Sequence, residues 1–216
     1  MSGLSQIENH PYHRGNVPEL VLDAAERILK RSGIAGLGLR SIAREAGVSH
    51  AAPKHHFHNL PNLLSELASM GYLELQVCLK KALHDEPNPI LRRKKLASAY
   101  IGFAHENPSM FGLMFRNELI QTDNDKLRQV IFETMTLMIG TLQKNESPFI
   151  LQEDRIEKVD AMRMTVSWAL IHGMATLLID NRLMNLAELS NFESAHAMIC
   201  KTLELMRFQV DFYPEK

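Results

Sequence analysis

Cysteine is scarce. Cys78 and Cys200 are the two in 216 residues, too few and too far apart for a disulfide framework, and a reducing cytoplasm is the simplest setting. The opening residues, MSGLSQIENHPYHRGN, lack the apolar core of a secretory signal. Long hydrophobic runs are missing too. The longest uncharged one, 164–179, holds Ser, Thr, His and Gly and falls short of the roughly 20 residues a membrane span needs. Charge of one sign is not in excess, with 24 Lys and Arg against 25 Asp and Glu. That excludes a protein coated in positive charge but leaves room for a local basic patch. No segment alternates convincingly as a strand, and there is no internal repeat or low-complexity tract.

What is present is helical periodicity and 45% hydrophobic content, enough for a substantial core. Val17, Leu20, Val21, Ala24, Ala25, Ile28 and Leu29 fall on one stripe of a first helix. Asn16 and Glu19 resemble a capping box, and the glycines of RSGIAGLG end the helix. Leu39, Ile42, Ala43 and Ala46 define a short second helix, stopped by Gly47. Ser49 is placed to cap a third, with His50, Ala51 and Ala52 as its first turn and Pro53 fourth. This is a three-helix, helix-turn-helix arrangement. Longer helices are expected over 60–83 (capped by Asn59), 90–107, 109–119, 126–145, 155–183 and 191–210, which makes about nine in an all-α chain. The expected domains are 1–58, with 1–15 a flexible arm, and 59–216.

The stretch GVSHAAPKHHFHNL holds His50, His55, His56 and His58. As a metal site it fails on spacing: His50 and His55 are five apart, His55 and His56 are adjacent, and no cysteine lies near. As a catalytic cluster it has no nucleophile elbow or paired carboxylate beside it. A solvated histidine-rich loop remains the plain alternative. DNA contact accounts for most. Ala51 and Ala52 let a helix seat deeply in a major groove, while His50, Lys54, His55 and His56 offer donors to phosphates or base edges. Residues 1–60 carry seven Lys/Arg against five acids and six of the ten histidines, while the remainder is net negative. The chain is polarised toward the helix-turn-helix.

The segment VPELVLDAAERILKRSGIAGLGLRSIAREAGVSHAAPKHHFHNLPNLLSELA resembles the N-terminal region of TetR-family (tetracycline-repressor-like) transcriptional regulators. The shared pattern is a helix, then I-A-x-x-A-G-V-S, a short recognition helix ending in H-F, and a capped long helix. WALIHG, with Trp168, His172 and Gly173, is similar to the branch named for a W-H-G pattern. The resemblance implies a dimeric cytoplasmic repressor that leaves an inverted-repeat operator in double-stranded DNA when a small, largely apolar molecule enters the C-terminal domain. Carried onto this chain, Arg40 and Ser49 approach the backbone, His50, Ala51 and Ala52 face bases, and Lys54, His55 and His56 flank phosphates. Lys54 stands where the family usually has tyrosine, and Leu60 where it often has lysine.

The helix around 164–179 is apolar on most of its circumference, so it must be covered on more than one side. Met162, Val166, Ala169, Leu170, Gly173 and Leu177 form one side of it. With a stripe of Phe192, Ala195, Ile199, Leu203 and Met206 on the last helix, that side is expected to build a four-helix interface in a homodimer. Met110, Phe111, Met114, Phe115, Met135, Met138, Trp168 and His172 are the expected ligand contacts, since methionines adapt to apolar molecules; plain core is the other reading of such methionines. The segments QTDND and ESPFILQED are candidate gates to that site. A di-iron enzyme would need two Glu-x-x-His motifs, and this chain has one, Glu193 to His196. No enzyme activity, cofactor, metal or membrane partner is expected. An adaptor that kept the helices but lost DNA binding is the alternative function.

Overall fold

A computed structural model describes residues 16–141 and 158–206. Among them there are ten α-helices, one 3-10 turn and no strand. The chain divides into two compact units, Met1–Leu63 and Leu64–Lys216, with the division inside the fourth helix. The arm at 1–15 and the segment ESPFILQED lie outside the described residues.

In the first unit, α1 (Val17–Ser32) packs on α2 (Leu39–Ala46) and α3 (Ala52–Phe57), with the 3-10 turn Ile34–Gly36 between α1 and α2. Val21, Ala24, Ala25, Ile28 and Leu29 are buried on α1, and Ile42, Ala43 and Phe57 complete the core. Gly47 takes the left-handed conformation (φ 67°, ψ 28°) in which glycine meets no steric penalty. The chain turns back there, and Val48 N–H donates to the Ala43 carbonyl at 3.1 Å. At the other end of α2, the Ser41 hydroxyl donates to the Gly36 and Gly38 carbonyls at 3.0 and 2.9 Å. The Glu45 carboxylate accepts from Arg31 at 3.0 Å and Arg27 at 3.4 Å, tying α2 to α1. The Arg31 hydrogen bond, the largest influence, holds Glu45 below the usual carboxylate range.

The second unit contains most of α4 (Leu60–Leu83), then α5 (Pro89–Glu106), α6 (Pro108–Met114), α7 (Asp125–Gly140), α8 (Lys158–Ile179), α9 (Met184–Leu189) and α10 (Ala195–Leu205). Asn59 caps α4 by accepting from Asn62 N–H at 2.8 Å. The α5 helix lies at the centre, against α6, α8 and α10. It buries Leu96, Ala97, Tyr100, Ile101, Phe103 and Ala104. Helix α4 carries Gly71, and a Cβ there would stand 2.8 Å from the Met110 Sδ and 2.9 Å from the Met114 Sδ. The missing side chain is what lets α6 approach. The Tyr72 hydroxyl then donates to the Met114 carbonyl at 3.1 Å. Between α4 and α7, the Gln76 amide donates to the Val130 carbonyl and the Thr134 hydroxyl at 3.1 and 3.2 Å.

Five local expectations are corrected. Asn16 accepts no cap bond; its amide donates instead to Glu19 at 3.0 Å. Helix α3 begins at Ala52, not His50, and Ser49 makes no side-chain cap. Pro53 accordingly sits in the first turn, where its missing N–H costs no helical bond, and Ser49 contributes its carbonyl to Ala52 N–H at 3.0 Å. A short helix, α9, occupies what was expected to be connecting chain. On α10, Ile199 and Leu203 are buried within this chain, while Phe192 is exposed and Ala195 and Met206 are half-buried, so only part of that stripe is open to a second copy. Finally, α8 extends past the apolar run to 22 residues, and an 18-residue window within it has a mean hydropathy of 1.3, which meets the length and composition of a membrane span. In this fold α8 packs on α5, α7 and α10.

Candidate nucleic-acid interface and effector cleft

The first unit presents a polar surface on the outside of α2 and α3. Arg40, Arg44, Ser49, His50, Ala51, Lys54, His55 and His56 are exposed and Ala52 is half-buried. Pro53 and Phe57 point the other way, into the core. Every residue expected at DNA is therefore on the open side of the same two short helices and their turn. Arg40, Arg44 and Lys54 make no ion pair among the described residues, whereas Arg27 and Arg31 on α1 are engaged by Glu45. The cations left for an outside anion are thus those of α2 and α3. The His55 and His56 rings meet edge to face at 4.9 Å. His58 has φ 66°, a left-handed conformation for a residue with a side chain, and it ends α3 by donating N–H to the Lys54 carbonyl at 2.9 Å. Among the described residues, no three His, Cys, Asp or Glu side chains are grouped to hold a metal ion.

In the second unit the expected ligand contacts separate into three sets. Met110 and Met114 are buried against Gly71 as a packed wall. Phe111, Phe115, Trp168 and His172 form one aromatic cluster. The His172 ring lies 4.5 Å from Phe115 and 5.4 Å from Phe111, and Trp168 is 5.6 Å from His172. Met135 and Met138 line cavities, described below. The i, i+4 spacing of Trp168 and His172 made their pairing legible in sequence.

Tyr100, not anticipated as a site residue, organises this cluster. Its ring meets Phe111 edge to face at 5.5 Å. Its oxygen lies 3.3 Å from Trp168 Nε1 and 2.9 Å from His172 Nδ1. Indole N–H can only donate, so the Tyr100 oxygen accepts from Trp168; with His172 as the neutral Nε2–H tautomer, the Tyr100 proton goes to His172 Nδ1. Burial lowers the His172 pKa, keeping the ring neutral and able to accept. Burial likewise raises the Tyr100 and Tyr72 phenols, which stay protonated. The result is a one-way chain of donors, Trp168 to Tyr100 to His172, inside an apolar cage. The signal in the sequence was a tyrosine on the buried stripe of α5, whose hydroxyl had to find a partner.

Two cavities flank Trp168. A cleft of about 840 Å³ opens between α7 and α8, lined by apolar residues that include Phe132, Met135, Ile139, Met164 and Trp168, with Asp125, Arg128, Gln129 and Thr165 among its polar ones. A void of about 10 Å³, room for a single water, lies inward among Arg93, Met138, Met164, Ser167 and Trp168. Met164 and Trp168 line both and so stand between them. Of the expected ligand contacts, Met135 and Trp168 line the cleft and Met138 the void, whereas Arg128 and Phe132 were not identified from the sequence. Those two become site residues only because α7 faces α8.

Helix α8 also has an uncovered side. Met162 and Val166 are each 46% exposed, Leu170 41% and Leu177 40%. Ala169 is exposed beside them, and the space around Gly173 is open.

Residues 21–67 match the family described as bacterial regulatory proteins, tetR family, and residues 94–201 match the tetracyclin repressor-like C-terminal domain. The nucleoid occlusion factor SlmA of Marinomonas sp. (strain MWYL1) is 27% identical over 99 residues, which cover 46% of this chain and 50% of that protein. The chain therefore spans half the length of that curated relative. A protein of unknown function from Rhodococcus sp. RHA1 is similar in structure, with 29% identity, a TM-score of 0.70 and coverage of 90% of this chain and 95% of its own. PfmR, a TetR family transcriptional regulator from Thermus thermophilus, shares the fold at 17% identity and a TM-score of 0.58, over 86% of this chain and 95% of its own.

Proposed function

The chain belongs to the tetracycline-repressor-like family of DNA-binding transcriptional regulators, and from that premise we propose that it is a homodimeric repressor whose operator is released when an apolar small molecule enters the second unit. Arg40 and Ser49 approach the DNA backbone. His50, Ala51 and Ala52 face base edges, and Lys54, His55 and His56 flank the phosphates. The observation that carries this reading is the exposed polar side of α2 and α3, whose cations have no acidic partner within the described residues. Such cations add phosphate contacts and supply the sequence-independent part of affinity, while small alanines admit close approach to bases.

Dimerisation uses the uncovered side of α8, where Met162, Val166, Leu170 and Leu177 surround the small residues Ala169 and Gly173. Two copies then present two reading helices to successive major grooves, about 34–36 Å apart. Met135 and Trp168, which line the α7–α8 cleft, receive the effector. For release, the effector must bind the conformer with low DNA affinity more tightly, since equal affinity shifts nothing.

Selection of bound fragments from random duplex DNA tests the proposal. Recovery of an inverted repeat, bound with an affinity that falls steeply with salt, is the expected result. Failure to enrich any sequence, with the protein folded and dimeric, would favour an adaptor that does not bind DNA.

A further inference from the structure

We propose that the α7–α8 cleft is a site for an amphiphilic anion, a carboxylate-headed molecule with an apolar body, whose head sits on Arg128. The inference rests on the effector-responsive reading above and assigns the chemistry of what binds. Along α7, Arg128, Phe132, Met135 and Ile139 recur every three or four residues, so they line one side of the helix. The polar groups of that side are at its N-terminal end and the apolar ones beyond it. Met164 and Trp168 face them from α8. A molecule in the cleft therefore meets charge at one end and hydrocarbon along the rest. The volume of about 840 Å³ is within the range of small-molecule sites.

The sign of the charge follows from the groups at the polar end. Asp125 is the first residue of α7, after the Asn124 cap, where first-turn N–H groups already offset a carboxylate. Lys126 is paired with Glu66 at 2.5 Å. The Gln129 amide donates to Glu133 at 2.9 Å. The Arg128 side chain makes no hydrogen bond or ion pair among the described residues, and its planar fork matches a carboxylate. Arg128 is thus the one lining cation at the mouth without a partner among the described residues, with the Asp125 charge partly offset by the helix N-terminus.

A second copy of the chain is the competing occupant, and helix geometry argues against it. At 100° per residue, Met164 and Trp168 lie roughly 150° around α8 from Met162, Val166 and Leu170. A copy on the uncovered side leaves the cleft open.

Trp168 is the one tryptophan in the chain and lines the cleft, so its fluorescence reports occupancy. Octanoate, octanol and octyltrimethylammonium should be titrated into the full-length dimer. Octanoate is expected to shift Trp168 emission saturably and to bind tighter than the other two. Arg128→Gln should weaken octanoate about threefold to fivefold, the range for one exposed ion pair, while leaving octanol unchanged. Arg128→Glu should reverse the preference between octanoate and the cation. Equal binding of all three heads, preference for the cation in the parent protein, an octanoate affinity indifferent to Arg128, an unmoved Trp168 emission, or binding that vanishes when the chain dimerises would each overturn the proposal. Operator binding measured without any added compound tests the regulator reading separately. A protein that binds DNA but not octanoate loses this inference alone.

Discussion

Adding a methyl group to Gly71 and to Gly102 should move stability in opposite directions. Both glycines are inside helices of the second unit, and in a helix interior alanine is favoured over glycine by about 1 kcal/mol. At Gly102 nothing lies within 4 Å of the new Cβ, so Gly102→Ala should gain up to that amount. At Gly71 the Cβ would stand 2.8 Å from Met110 Cγ and Sδ and 2.9 Å from Met114 Sδ. Those methionines are 3% and 1% exposed, so any shift must displace packed neighbours. Overpacking of this kind costs about 1–3 kcal/mol, which outweighs the helical gain and leaves a net loss of about 1 kcal/mol. The two variants should therefore differ by about 2 kcal/mol, or about 4–8 °C in melting temperature for a chain of this size. Thermal unfolding followed by circular dichroism, at one fixed protomer concentration, measures it. Combining Gly71→Ala with Met110→Ala removes the two nearest of the three clashing atoms and leaves the Met114 Sδ, so the double variant should lose less than the sum of the singles. A Gly71→Ala protein that melts above the parent, or strict additivity in the double variant, would refute the close-approach argument.

Arg40→Ala and Lys54→Ala should each weaken operator binding at all sequences tested and reduce the salt slope by about one, read by fluorescence anisotropy between about 50 and 200 mM salt. Leu170→Glu should convert dimer to monomer in sedimentation while preserving helical content; Gly173→Ala should weaken association without lowering the stability of the single chain. The depressed His172 pKa means that protonation favours the unfolded chain. Its contribution to stability is complete above the usual value of 6.5 and is lost as pH falls below it toward the lower folded value. Wild type should therefore lose more denaturant resistance between about pH 7.5 and 5.5 than His172→Phe does, and parallel losses would dismiss His172 as the titrating group.

Much of the chain was legible because its helices are strongly periodic and clearly punctuated. The extent of α4, from the Asn59 cap to Leu83, could be read directly, and so could the stop of α2 at Gly47. The start of α3 was misplaced because Ser49 is a good cap in isolation, while Pro53 is better tolerated in a first turn than in a fourth position. Helix α9 was missed because six residues are too few to show a period. The stripe on the last helix was assigned whole to a partner, although part of it is covered within the chain, because periodicity shows that a stripe is apolar but not what covers it. Ile199 and Leu203 are covered by their own chain. The same limit hid Tyr100, Arg128 and Phe132, whose significance arises from how α5, α7 and α8 pair.

Helix α8 has no idle side. Its inward residues fill the bundle, Met164 and Trp168 wall the cleft, and the row from Met162 to Leu177 lies open. A mutation that reshapes the cleft from α8 therefore falls on the same helix as the residues proposed to meet another copy. Variation in what the protein senses should therefore accumulate on α7, at positions such as Arg128, Phe132 and Met135, where a new side chain can alter the occupant without disturbing self-recognition.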